Sequence, residues 1–473
     1  MVFSSLLFLC IFLPAVILLY FLMPNMTAKN LLLILASLVF YALGEPVWVL
    51  LLIFSALLHY WNGLLMERFR GRVWEQVCFW VTVVLSLGML CAFKYLNFLV
   101  GNLNLLLGLQ LPQSGLSLPI GISFYTFQTM SYTIDLRKGE AETQHSFLDF
   151  LLFVSLFPQL IAGPILRYRD LAVQLRSRKT TAEGFARGSC RFVCGLAKKV
   201  LLANYCSEVV EKLLVEQPLA ELSAVGAWLG ILMYAFQLYF DFSGYSDMAI
   251  GLGAMFGFHY GENFRYPYIA RSITDFWRRW HISLGSWFRD YVYYPLGGSR
   301  RGLARQLLNL LVVWFLTGLW HGAGWNYILW GLWFGVLLII EKMIGRERLG
   351  RIPAPLAIPV TFLLVLLGRV FFYFEDAGAC LTVYRAMLGR NGWIDTVSRL
   401  SLLNSLPLLI ACCIGSTPLL KKLGSALCSL ARKALGEAAG FALPALCYNL
   451  SLLALCIISL VGATSNPFIY FRF

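Results

Sequence analysis

Charge is what this 473-residue chain has little of: 13% of its residues are Asp, Glu, Lys or Arg, where a soluble globular domain carries about a quarter. Histidine is scarce too, with five in all, and neither the first 28 residues nor the stretch 306–340 holds a charged side chain. These shortages exclude an ordinary cytosolic enzyme and a disordered or fibrous chain. No two histidines have metal-ligand spacing, and there is no phosphate loop and no Ser-His-Asp elbow. No bound metal or cofactor is therefore expected. No internal repeat or low-complexity segment is present. Of the twelve cysteines, most lie inside apolar runs, such as Cys10, Cys78, Cys91, Cys412, Cys413 and Cys456, and act as small hydrophobes rather than a disulfide framework. Cys190 and Cys194 stand one helical turn apart, with no second Cys or His pair at zinc spacing.

What is present is apolar surface: 59% hydrophobic residues and a mean hydropathy of +0.73. That is the composition of an all-α polytopic membrane protein, expected here as a single membrane-embedded domain over 1–473. A spanning helix needs about 20 mostly apolar residues. Runs of that kind are 3–22, 46–66, 76–93, 149–166, 224–240, 306–320, 325–340, 356–374, 402–420 and 441–463. Shorter or Gly/Pro-broken ones are 31–43, 95–111 and 118–134, some of them re-entrant where protein or water covers the backbone. About ten to thirteen membrane helices follow. Met1–Phe21 lacks a basic leader and a small-residue cleavage site, so it is read as a retained first helix.

The net charge of +14 is concentrated in short stretches. Segment 166–199 holds nine basic residues and segment 265–305 holds eight, with two acidic residues in each. Basic loops beside spans face the cytoplasm and anionic lipid, not nucleic acid. Arg68, Arg70 and Arg72 place their loop inside, and counting back through three runs puts the N-terminus outside. The loop at 342–351 is also basic, so the uncharged 306–340 must rise and return as a hairpin. His321 sits near its apex, sixteen residues beyond Arg305, a rise of about 24 Å along a helix.

Polar residues inside a membrane are costly and call for a reason. The first such group is TGLWHGAGW, Thr317 to Trp325, where glycines and tryptophans surround His321. A neutral imidazole there suits a general base and equally a hydrogen bond between helices. The second is Tyr266 to Gly298, in which Phe276, Trp280, Leu284, Trp287 and Tyr291 recur at helical spacing. This predicts one helix, either interfacial with Trp and Arg anchors or the wall of a vestibule. In a vestibule, Arg278 and Arg279 attract a phosphorylated donor or an acidic carrier near His281. The third is YFDFSGYSDMAIGLG, Tyr239 to Gly253, where Asp241 and Asp247 stand in apolar surroundings. Buried carboxylates need partners, expected among the arginines of 265–289. Their role is a structural ion pair or catalysis.

These segments resemble the membrane-bound O-acyltransferase (MBOAT) family, in its bacterial alginate O-acetylase branch. The matching stretches are 118–139, 156–171, 239–253, 263–298 (with RRWHISL), 317–331 (with LWHG) and the tail NPFIYFRF, 466–473. The core motifs lie within 118–341, and further helices fill 352–473. The resemblance implies a bundle around a central tunnel, with His321 as the catalytic histidine and His281 as the second family histidine. It implies an acyl-thioester donor reaching His321 from the cytoplasm, most simply acetyl-coenzyme A. It also implies a separate extracytoplasmic acetyltransferase as partner and a place in the bacterial inner membrane. On this reading Trp280 and Trp320 shape the tunnel, and Thr317 is a candidate for a covalent intermediate. D-alanyl transfer to teichoic acid is the near alternative, because that branch shares the WRRWHISL and WHG segments. A proton-coupled transporter using Asp241, Asp247 and His321 is the alternative from another class.

Overall fold

A computed structural model describes residues 1–435 and 437–462, all helix and loop with no strand among them. The motif 466–473 lies outside the described residues. Among the described residues, eight helices are long and apolar enough to cross a membrane: Val49–Arg68, Val73–Leu107, Ala224–Met255, Leu303–His321, Trp325–Ile344, Ala354–Tyr373, Thr396–Gly415 and Pro444–Gly462. Phe8–Leu22 and Met26–Ala42 are shorter apolar helices. The chain is therefore an all-α, multi-pass membrane protein.

Four sequence runs take other forms. Segments 76–93 and 95–111 join in one 35-residue helix, Val73–Leu107, with a π-helical turn at Cys91–Tyr95. The run 149–166 is broken into the helices Phe147–Ser155 and Phe157–Leu160, because Leu156 leaves the helical conformation (ψ 112°) and Pro158 cannot continue the first helix. The run 118–134 becomes Ile122–Lys138, in which Ser123, Thr126, Gln128, Thr129, Ser131 and Thr133 are all buried. Its polar groups are met inside the protein, as with Gln128 Nε2 donating to the Phe153 carbonyl at 2.6 Å.

The chain forms two compact units: Met1–Ser189 with Met248–Gly261, and Cys190–Asp247 with Glu262–Phe473. In the first, His59 is fully buried, and its two ring nitrogens meet Thr133 at 2.7 Å and Ser86 at 2.9 Å. Both nitrogens are occupied, so this intramembrane histidine ties three helices together.

The second unit carries the hairpin expected from 306–340. Leu303–His321 runs nineteen residues and ends where Gly322 turns to extended backbone, and Trp325–Ile344 returns. Glycines set how closely the two arms meet. A Cβ on Gly318 would collide with the Tyr327 carbonyl, and one on Gly331 with the Trp314 carbonyl. The backbones therefore touch directly, which fixes the end of the first arm.

Candidate functional site

His321 is the last residue of its helix and is 6% exposed. Its imidazole is walled by rings set edge-on to it: Trp320 at 4.8 Å, Trp330 at 4.8 Å and Phe372 at 5.3 Å between centroids. The walls come from the outgoing arm, the returning arm and the helix Ala354–Tyr373. Trp320 also lies 6.0 Å from the ring of His281. The two histidines thus share one indole between them.

The segment carrying His281 is not the continuous helix that its aromatic spacing predicts. It forms two seven-residue helices, Ile273–Arg279 and Ile282–Phe288, broken at Trp280 and His281. Trp280 is extended, and His281 takes a left-handed conformation with φ 45°, strained for a residue with a side chain. Asn263 supplies what the broken helix loses. Its carbonyl accepts from the Ile282 N–H at 3.0 Å. Its side-chain Oδ1 accepts from the Ser283 N–H at 3.1 Å and the Ser283 hydroxyl at 2.9 Å. Periodicity continues through the break because this cap is distant in sequence.

That cap also sets the state of His281. A backbone N–H can only donate, so the Asn263 atom facing Ser283 is oxygen. The same Oδ1 lies 3.2 Å from His281 Nδ1, which must therefore carry the proton. Nε2 is left as a lone-pair acceptor, buried and with no hydrogen-bond partner among the described residues. Burial pushes the imidazole pKa down to about 3, so the ring is neutral at pH 7. Phe242 at 4.7 Å meets it edge-on.

The aspartates find partners other than those expected. Asp247 pairs with Lys198 at 2.6 Å and Arg191 at 2.8 Å, and Asp241 with Lys199 at 2.9 Å. None of these is an arginine of 265–289. The reason is Gly244, whose missing Cβ lets the chain at Gly195 and Lys199 lie against it. The basic residues of 190–199 therefore reach the carboxylates first. Arg279 instead pairs with Asp275 at 2.8 Å, one turn away, and Arg278 is exposed. The Thr317 hydroxyl donates to the Val313 carbonyl at 2.7 Å, one turn back along its own helix.

Trp280 is buried under a side chain the sequence did not single out. Arg369 is 1% exposed, and its guanidinium carbon lies 4.5 Å from the Trp280 ring centre. Asn263, Phe242, Trp330 and Phe372 were missed as well. Arg369 alone carried a signal, being a cation inside the apolar run 356–374. Among the described residues, no group of His, Cys, Asp and Glu could hold a metal ion.

Comparison with known proteins agrees with this architecture. The model of the membrane-bound O-acyltransferase family matches residues 80–348. A Pseudomonas aeruginosa protein named "Probable alginate O-acetylase AlgI" is 45% identical over 83% of this chain and 76% of its own length. The peptidoglycan O-acetyltransferase of Helicobacter pylori is 35% identical over 83% of this chain and 80% of its own. The teichoic acid D-alanyltransferase of Bacillus subtilis is 30% identical over 54% of this chain and 68% of its own. With a family match across more than half its length, and relatives this similar over most of it, the chain belongs to the membrane-bound O-acyltransferase family and is an O-acyltransferase.

Proposed function

We propose that this enzyme takes an acyl group from a cytoplasmic thioester, most simply acetyl-coenzyme A, and passes it outward for the O-acetylation of an alginate-like exopolysaccharide. The observation that carries the reading is the setting of His321: a buried imidazole at the end of an uncharged hairpin, ringed by Trp320, Trp330 and Phe372. The relatives named for acetylation match more of the chain than the one named for D-alanyl transfer. This favours acetyl over D-alanyl.

The chemistry is acyl transfer to a hydroxyl. His321 takes the hydroxyl proton as the oxygen attacks the thioester carbonyl. The C–O bond forms, the C–S bond breaks, and the proton passes to the leaving thiolate. His281, neutral and with Nε2 free to accept, orients the donor or relays that proton. Trp280 and Trp320 line the path. Thr317 is a poor candidate for a covalent intermediate, since its hydroxyl is spent on Val313. Asp241 and Asp247 hold the wall of the site through Lys199, Lys198 and Arg191.

A second protein completes the transfer. The outward loops between the sequence-derived spans are mostly short, whereas a specific interface needs about 800 Å² per partner. Deleting an extracytoplasmic acetyltransferase partner is expected to leave donor thioester turnover in membranes detectable and the polymer unmodified. Full-rate acetylation of polysaccharide by the purified chain alone would defeat the two-protein reading.

The N-terminus is proposed to lie outside the inner membrane and 265–305 inside. An Arg300→Cys variant in a cysteine-free background is expected to resist a membrane-impermeant thiol reagent in intact cells and to react after lysis. Labelling of intact cells would reverse the orientation and the side of donor entry.

A further inference from the structure

Arg369 is a cation within a membrane-spanning helix, Ala354–Tyr373, and is 1% exposed. Such a group is expected to pair with a carboxylate, yet among the described residues it makes no ion pair. Of its titratable neighbours Tyr268 interacts with it most, and the Tyr268 hydroxyl itself donates to the Ala235 carbonyl. Burial pushes the Tyr268 phenol up, so it stays neutral and offers no counter-charge.

Two guanidinium nitrogens, Nε and Nη2, are buried with no hydrogen-bond partner among the described residues. These are not two arbitrary atoms. Their N–H bonds point the same way along one edge of the planar group, and that edge is the fork that grips two oxygens of one anion. The plane is held by the face of Trp280 at 4.5 Å. The guanidinium carbon lies 5.9 Å from the Phe372 ring centre, and Phe372 lies 5.3 Å from the ring of His321. The guanidinium is thus one aromatic ring away from the histidine proposed as base.

Leaving a buried guanidinium edge without acceptors is costly, and no carboxylate of the described chain meets it. We propose that Arg369 is a substrate-binding residue that takes, side-on, a two-oxygen anionic group, carboxylate or phosphate, carried by a substrate in the His321 pocket. The proposal rests on the acyltransferase reading and adds to it a charge requirement on the substrate. Two sources carry that chemistry: a carboxylate on the hydroxyl-bearing acceptor, or a phosphate of the thioester donor. In coenzyme A the phosphates are separated from the thioester by the whole pantetheine arm, whereas the guanidinium is a single ring from His321. A carboxylate near the reacting hydroxyl meets that spacing more directly.

The full-length protein, purified in detergent, can be titrated calorimetrically with two matched pairs of probes. One is a small hydroxycarboxylic acid against its uncharged amide, which keeps the hydroxyl; the other is coenzyme A against pantetheine, which has no phosphate. Wild type is expected to prefer the anionic member of one pair by roughly 10–100-fold, and that pair identifies the source. Arg369→Gln should abolish the preference while leaving the affinity for the neutral member unchanged. Arg369→Lys keeps a cation but not the fork, and should lose most of the preference even if the glutamine variant fails to fold. No anion preference in wild type, or a wild-type preference in either variant, overturns the assignment. These titrations need no turnover. Thioester turnover by wild type and its loss in His321→Ala report separately on the acyltransferase reading, so the failure of one is not mistaken for the failure of the other.

Discussion

Replacing His321 with alanine is expected to reduce acylation of the polymer by at least ~100-fold while the protein accumulates normally in the membrane. The size of the effect follows from position. His321 closes its helix, and Gly322 leaves as extended backbone, so removing the imidazole breaks no turn of the hairpin arm. The three surrounding rings belong to Trp320, Trp330 and Phe372, and the cavity left by an imidazole is bounded by side chains that remain packed on one another, as Trp330 does on Phe372 at 4.9 Å. Chemistry should therefore be lost and the fold kept. His321→Gln is the informative companion, since it preserves polarity and much of the volume but cannot take a proton. If either variant retains near-normal acylation at equal membrane level, His321 is not the base.

How much of this was legible in the sequence depended on what kind of signal each feature leaves. The hairpin was legible because a run of thirty-five uncharged residues between two basic loops has few ways to be placed in a membrane. The place of His321 at the turn of that hairpin followed from the same run of residues. The break at Trp280 and His281 was not legible. The aromatic stripe keeps its helical period straight through it, and the group that stabilises the break, Asn263, stands eighteen residues away. The aspartate partners were misassigned for a related reason. A buried carboxylate announces that it needs a cation but not which helix brings one. The choice was made by Gly244, whose bare backbone admits Gly195 and Lys199. Arg369 is the opposite case: a single charge in an apolar run was visible from the start, and only its neighbours give it meaning.

The largest structural effect is expected at one of those unforeseen pairs. Lys199 and Asp241 meet at 2.9 Å with side chains 3% and 2% exposed. Charges taken this far from water are held by each other and by the hydrogen bonds around them, here including Lys199 Nζ donating to Asn204 Oδ1 at 2.9 Å. Lys199→Met removes the ammonium and leaves the Asp241 carboxylate buried without it, which typically costs about 3–5 kcal/mol. Asp241→Asn removes the opposite charge and leaves the ammonium. Each single variant should lower the thermal midpoint of the detergent-solubilised protein and its yield in membranes. The double variant Lys199→Met/Asp241→Asn buries no net charge, and its loss should fall well short of the two single losses combined. A cycle in which the losses simply add would show that the two side chains act independently. If instead both single variants unfold like wild type but lose acylation, the pair serves the reaction rather than the fold.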